Sequence, residues 1–193
     1  MSSRLIVNSI RHTGASSDAI TLDSSGNITC NGIATGFGKL VNYSNTLKTD
    51  TFSASLGQAG VSGDAISVSH TASSTNNKLL ISYSINCGCN YSGTMTIKAY
   101  LYIGGSVSTA IGDAASNLVR VTTQGFGTNY HANNQSFQTI IQAASTNATT
   151  YSVRLGHSNN STNTVYLNRS VDGTDANYIG RTASNIQVLE FAA

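Results

Sequence analysis

The chain has 193 residues, of which only 9% are charged, and its formal net charge is +2 at pH 7. Nearly half of the residues are Ser, Thr, Asn or Gly, and Pro and Trp are absent. Low net charge with 39% apolar residues excludes a disordered chain. One Glu and four Lys are too few for the faces of a helical bundle, and scattered Lys and Arg argue against nucleic-acid binding.

Residues 1–36 contain only very short apolar segments, separated by turn residues. Ser24-Ser25-Gly26-Asn27 and Asn31-Gly32 are typical of tight β-turns. Strands this short cannot bury a core within one chain, so they need a partner or further copies of the chain. We predict a virion-attachment or trimerisation segment with these candidate residues: Leu5, Ile6, Val7, Ile10, His12, Ile20 and Leu22.

Residues 37–193 carry longer segments in which apolar and polar residues alternate. The clearest alternation predicts a strand over 94–103. Its buried face is predicted to hold Met95, Ile97, Ala99, Leu101 and Ile103. Further strands are predicted at 65–68, 78–85, 117–121, 137–141, 151–155, 164–167 and 186–191. No segment has a convincing helical pattern, and the strand spacing is typical of a β-sandwich. The predicted fold is therefore all-β.

The three cysteines do not indicate a function. Cys87 and Cys89 are too close in sequence for an ordinary disulfide, and a zinc site would need about four ligands at a recognisable spacing. We predict that Cys30, Cys87 and Cys89 are buried or loop thiols, and we predict no metal site and no cofactor.

No catalytic constellation is apparent, and we predict that the chain is not an enzyme. Glycan hydrolysis needs two carboxyl groups facing one substrate, and the candidates are Asp64, Asp113, Asp172, Asp175 and Glu190. Asp172 and Asp175 are predicted to lie in a turn, and Glu190 in an edge or interface salt bridge. The four histidines are predicted to be surface residues: His12, His70, His131 and His157.

Three polar loops combine aromatic rings with amides, at 86–94, 123–136 and 157–163. A ring covers apolar area while neighbouring amides bind hydroxyl groups, so such loops suit sugar or protein surfaces. The candidate receptor contacts are Asn90, Tyr91, Phe126, Tyr130, His131, Asn133, Asn159 and Asn160. The alternative interpretation is that these loops are only solvated.

The N-terminus turns polar at once, so it lacks the apolar core of a signal peptide, and no run is long enough to span a membrane. We therefore predict neither export by the general route nor membrane insertion.

The segment Leu5–Thr13, followed by Asp18–Thr29 and the junction Gly38-Lys39-Leu40-Val41, resembles the start of many virion proteins of marine tailed phages, cyanophages especially. Residues 77–82 and 184–191 are similar to the head domain of these proteins, a jelly roll akin to the C1q/tumour-necrosis-factor shape. The resemblance implies a homotrimer, with residues 1–36 as an intertwined stem and 37–193 as the head. In one respect the chain departs from the long fibre proteins, since we predict neither a large N-terminal adaptor domain nor a central shaft.

The sequence thus predicts a short homotrimeric tail fibre or host-recognition protein, located in the virion after assembly in the host cytoplasm. Few charges favour self-association, because charges repeated around a symmetry axis repel their own copies. Tyr100 and Tyr102 are candidate trimer contacts, since Tyr is favoured at interfaces. Two alternatives stay open: a capsid decoration protein or head fibre anchored by residues 1–36, and a stand-alone carbohydrate-binding module.

Overall fold

The structure is a computed structural model that describes residues 7–11, 13, 14, 16–30, 39–171 and 180–192, with only the backbone at 29 and 30. The chain divides into two compact units, Met1–Lys39 and Leu40–Ala193. Among the described residues there is no helix, and hence none that could span a membrane. The predicted all-β fold is confirmed.

The N-terminal unit contains a small antiparallel sheet in the order β1-β2-β3. Its strands are Ser9–Ile10 (β1), Ile20–Leu22 (β2) and Ile28–Cys30 (β3). Asp23 closes the β2–β3 turn, because its carboxylate accepts hydrogen bonds from the backbone N–H groups of Ser25 and Asn27. Gly26 takes a φ of 84° there, a conformation that glycine adopts without strain.

The second unit is a sandwich of two antiparallel sheets. Its strands are Leu40–Lys48 (β4), Phe52–Leu56 (β5), Val61–His70 (β6), Lys78–Cys89 (β7), Met95–Ile103 (β8), Ser106–Val107 (β9), Thr123–Gly127 (β10), Asn133–Gln142 (β11), Thr149–His157 (β12), Asn163–Leu167 (β13) and Ser184–Phe191 (β14). The first sheet has the order β4-β14-β7-β11, with β13 and β5 attached beyond the end of β14. The second sheet has the order β6-β12-β8-β10, and β9 pairs with the end of β8.

This strand order is that of a jelly roll. When the eight principal strands are numbered along the chain, the first sheet reads 1-8-3-6 and the second reads 2-7-4-5. Each sheet therefore combines strands that are distant in sequence, and the first and last strands lie side by side, as two interlocked Greek keys require. The sequence-based expectation of a jelly-roll sandwich is confirmed.

The core lies between the two sheets, and β8 shows why the strands form. Its alternate residues Met95, Ile97, Ala99 and Leu101 are buried, as predicted from the period of two. Ile103, at the end of the strand, is only partly buried but packs against the same core. The predicted phase of this strand is therefore confirmed.

The strand predicted at 117–121 is wrong. These residues belong to an irregular connection between β9 and β10, in which Gly112 N–H donates to Val121 O (3.1 Å) and Leu118 and Val119 are exposed. The edge of β8 that they would need is already occupied by β10 and β9.

Cys87 and Cys89 lie at the end of β7, and both are free, buried thiols, as the sequence predicted. Burial raises the pKa of Cys87 to about 12 and also raises the pKa of Cys89, which makes both thiols poor nucleophiles at neutral pH. Gly88 between them has a steric role: a Cβ there would lie 2.5 Å from the carbonyl oxygen of Arg169. The side chain of Cys30 lies outside the described residues.

Candidate functional site

Loops from both sheets meet at one end of the sandwich. We call this surface the loop end, and it consists of residues 57–60, 90–94, 128–132 and 158–162. The backbone N–H of Asn129 donates to the carbonyl oxygen of Tyr91 (3.1 Å), and the Gln58 amide donates to Asn160 Oδ1 (3.1 Å). The three polar loops singled out from the sequence are thus brought together, with Gln58 joining them from a loop that the sequence did not highlight.

Short polar side chains shape these loops by accepting hydrogen bonds from their own backbone. Thr128 Oγ1 accepts from the N–H groups of Tyr130 (3.2 Å) and His131 (3.1 Å), and Asn159 Oδ1 accepts from Ser161 N–H (3.0 Å). Such local bonds favour turns over strands. The loop backbone is therefore fixed by its own residues rather than by sheet pairing.

Aromatic rings stand exposed at or beside the loop end. Tyr91 and Tyr130 belong to its loops, and Phe126, 63% exposed, lies on the adjoining strand β10. The amides differ in availability, because Asn90 Oδ1 accepts from Thr164 N–H (2.8 Å) and the Asn133 amide donates to Phe126 O. The same region holds the exposed His131 and the amides of Asn159 and Asn160.

The loop end carries no Asp, Glu, Lys or Arg. Among the described residues there is also no group of three or more His, Cys, Asp or Glu that could hold a metal ion. A surface of rings, amides and hydroxyls without charge is suited to a neutral ligand that presents hydroxyl groups and apolar faces.

A second polar cluster lies in the core, where Glu190 of β14 meets His70 of β6. The Glu190 and His70 side chains are both fully buried, and Oε2 lies 3.3 Å from Nε2. Glu190 Oε1 accepts from Ser73 N–H (2.8 Å), Ser73 Oγ (2.7 Å) and Asn77 Nδ2 (2.6 Å). On the far side of the ring, Ser44 Oγ lies 3.1 Å from His70 Nδ1.

Burial by itself raises the pKa of Glu190, but the bonds from Asn77 and Ser73 and the nearby His70 outweigh it and lower that pKa to about 2. The predicted edge or interface salt bridge of Glu190 is wrong, because β14 lies between β4 and β7 and its alternate residues point inward. The network joins the two sheets to the β6–β7 loop.

Two of the four histidines are not surface residues. His70 and His157 are buried, and His157 Nε2 lies 2.9 Å from the carbonyl oxygen of Leu56. The Nδ1 of His157 accepts a hydrogen bond from the nearby Asn159 N–H (3.1 Å), but Leu56 for His157 and Ser44 for His70 come from distant parts of the chain, which local sequence context does not reveal. His131 is exposed as predicted, and His12 lies outside the described residues.

The candidate carboxylates occupy separate environments. Asp64 lies on the outer face of the second sheet, where it accepts hydrogen bonds from Arg154 Nε (2.6 Å) and Ser152 Oγ (2.8 Å). Asp113 is exposed in the connection before β10, and Glu190 is in the core. Asp172 and Asp175 lie outside the described residues.

The two predicted trimer contacts, Tyr100 and Tyr102, lie on the outer face of the second sheet. Tyr100 is largely buried, with its ring beside Gly156, where a Cβ would lie 3.2 Å from Tyr100 Cε2. The Arg154 guanidinium lies 4.0 Å from the centre of the Tyr102 ring. Both rings are thus already in contact with side chains or backbone of their own chain.

Of the predicted attachment residues, Ile10 and Leu22 are exposed and Val7 and Ile20 are partly buried. Leu5, Ile6 and His12 lie outside the described residues.

No family model matches the chain, and no curated protein matches it. Among solved structures, it is similar to a chain of the structure of infectious bursal disease virus, Gx strain, with 15% sequence identity and a TM-score of 0.37. The match covers 90% of this chain and 43% of that chain, so this protein spans less than half of its length.

Proposed function

We propose that this chain is a structural protein of a bacteriophage particle, a short homotrimeric tail fibre or host-recognition protein. Residues 1–36 attach it to other virion proteins, and its jelly-roll unit contacts the host surface. It acts without catalysis, cofactor, nucleic acid or membrane insertion. The resemblance of Leu5–Thr13, Asp18–Thr29 and the Gly38–Val41 junction to marine phage virion proteins supports this assignment.

The observation that carries the recognition role is the composition and exposure of the loop end. Tyr91 and Tyr130 are exposed, the amides of Asn159 and Asn160 lie on a neighbouring loop, and no charged side chain is present. A sugar ring stacks on an aromatic face while amides bind its hydroxyl groups. We therefore assign a neutral host surface polysaccharide as the ligand.

Binding of the fluorescently labelled protein to an array of neutral and acidic bacterial polysaccharides tests this role. We expect binding to neutral glycans that Tyr91→Ala and Tyr130→Ala each reduce by about tenfold, as expected for a ring that anchors its ligand. Leu118→Ala is the matched control, since Leu118 is exposed in the β9–β10 connection, at the opposite end of the sandwich. Binding only to acidic glycans, or only to a host protein, would contradict the assignment.

The alternative, a capsid decoration protein or head fibre, is favoured by one observation: residues 1–39 form a compact unit of their own. A small separate unit with exposed Ile10 and Ile28 suits attachment to a shell. Gold-labelled antibody on intact particles separates the two locations. Label over the tail supports the fibre, label over the capsid supports decoration, and no label on particles contradicts both.

A further inference from the structure

An apolar row crosses the outer face of the first sheet. The register aligns one residue from each of four adjacent strands, and we call this set the apolar row: Tyr43, Leu189, Leu80 and Ile140. The next residues along β7 and β14, Ile81 and Val188, are fully buried in the core. Since side chains alternate along a strand, the row points away from the core.

The row is open to solvent at both of its ends. Tyr43 is 66% exposed and Ile140 is 67% exposed, whereas Leu80 and Leu189 between them are partly buried. Leu40 and Leu47, also on β4, add further exposed apolar area to the same face. A contiguous exposed apolar patch of this kind is more often an interaction surface than a surface that contacts only solvent.

The rows beside it are mostly polar and carry almost no charge. The next row holds Asn45, Gln187, Ser82 and Gln138, in which Gln187 Nε2 donates to Ser82 Oγ (2.9 Å). The row beyond holds Leu47, Asn185, Ser84 and Ser136. On the other side of the apolar row, the border row consists of Leu40, Phe191, Lys78 and Gln142. Lys78 is the one charged residue of these four rows, and its ammonium group donates to Gln142 Oε1 (3.2 Å).

We propose that this outer face packs against neighbouring copies of the chain in the homotrimer. The proposal rests on the homo-oligomeric form in the proposed function and locates its interface. It assigns that interface to the sheet opposite the one that carries Tyr100 and Tyr102.

The charge pattern favours a second copy as the occupant. A threefold axis repeats the same face around one line, so any charge on the central rows would lie near its own like charges on the other two copies. Amides and hydroxyls both donate and accept, and Asn45, Gln138 and Ser136 can therefore pair with amides and hydroxyls of the neighbouring copies. A charged partner would find no complementary group on these central rows.

The size of the face is also appropriate. The four strands lie about 4.8 Å apart, and each contributes about eight residues with a rise of about 3.3 Å per residue. The face therefore covers roughly 500 Å² in projection. Side-chain relief increases the accessible area toward the ~800 Å² that each partner contributes to a stable interface. The apolar row crosses the face from edge to edge between rows that are mostly polar. A well-packed interface likewise has an apolar centre and a polar rim.

Light scattering after size-exclusion chromatography of the full chain tests the proposal. We expect the wild type to have a mass that is a multiple of 20.1 kDa, and Ile140→Asp to be a monomer, with a dissociation constant raised by at least about 30-fold. Phe126→Asp is the matched control, because Phe126 is similarly exposed but lies in the second sheet, and we expect it to keep the wild-type mass. Circular dichroism checks that each variant is folded.

A second variant, Gln138→Lys, places a positive charge on the polar row without altering the apolar row, and we expect it to dissociate the assembly as well. A monomeric wild type, an unchanged mass for Ile140→Asp, or dissociation of Phe126→Asp would each overturn the assigned interface. The two variant outcomes leave the proposed function and the labelling of virus particles unaffected, whereas a monomeric wild type would also contradict the homotrimer of the proposed function. Absence of label from particles would instead contradict the proposed function while leaving the interface measurable.

Discussion

The outer faces of the two sheets differ in how their side chains are partnered. On the second sheet, Asp64 and Arg154 form an ion pair, Arg154 covers the ring of Tyr102, and Gly156 leaves room for Tyr100. On the first sheet, Tyr43 and Ile140 have no such cover in the described chain. The second sheet partners these outer side chains within its own chain and leaves Phe126 of its edge strand exposed, whereas the first sheet leaves a row of apolar side chains free across its outer face.

The inner faces meet at a buried pair of ionisable side chains, one from each sheet. Glu190 of the first sheet is buried against His70 of the second sheet, while the inner face of β8 is apolar throughout. A buried carboxylate must be paired and hydrogen-bonded, and Glu190 has both kinds of partner. The single glutamate of the chain therefore helps to join the sheets, and it leaves the outer face of the first sheet uncharged at its centre.

The largest expected effect concerns the core that both sheets share. Leu101→Ala removes a fully buried side chain from β8 and should lower the free energy of unfolding by about 2–5 kcal/mol. Thr96→Ala on the outer side of the same strand is the control and should cost less than about 1 kcal/mol. Urea denaturation measures both values. Equal costs would mean that the two faces of β8 do not differ as the structure shows.

The next effect concerns the buried carboxylate. Glu190→Gln keeps the shape of the side chain but weakens the bonds from Ser73 and Asn77 and the contact with His70, so we expect a loss of about 2 kcal/mol. Asp50→Asn is the control, because Asp50 is an exposed carboxylate paired with Lys48. A loss no larger than that of the control would show that Glu190 does not join the sheets.

Lowering the pH should reduce the stability of the fold through the same carboxylate, Glu190. The folded pKa of Glu190, about 2, is below its ordinary value of 4.5, so its contribution to stability is complete above about pH 4.5 and is lost as the pH falls toward 2. The groups facing it are His70, Ser73, Asn77 and the Tyr151 phenol, whose pKa is raised by burial and by the carboxylate. Thermal unfolding between pH 2 and 6 should show a steeper acid loss for the wild type than for Glu190→Gln. Parallel curves would contradict this assignment.

Alternation along single strands was sufficient to predict part of the fold. The pattern in 94–103 identified β8 and its buried face, because that strand has apolar residues on one side only. The same rule missed β4, whose exposed Tyr43 and Leu47 are outward while the inward positions include Ser44 and Thr46. It also missed β10, Thr123–Gly127, where two glycines and two polar residues weaken any strand signal.

Contacts between distant parts of the chain could not be predicted. Glu190 and His70 are 120 positions apart, and Asn160 and Gln58 are 102 apart, so no local pattern connects them. The apolar run at 117–121 predicted a strand, yet neighbouring strands already occupy the edge of β8 that it would need. The individual residues of the loop end could be predicted, because turn-forming and aromatic residues are local signals. That its loops lie side by side could not be predicted, because this depends on the topology.

The smallest expected effect is the one that decides between the two outer faces. Arg154→Ala removes a partly exposed ion pair and the cover of Tyr102, and we expect a loss of at most about 1 kcal/mol, smaller still at high salt. Because Arg154, Tyr100 and Tyr102 are already in contact with groups of their own chain, the variant should keep the mass of the wild type in light scattering. If Arg154→Ala dissociates the assembly while Ile140→Asp does not, the copies meet at Tyr100 and Tyr102, and the distinction between the two faces is reversed.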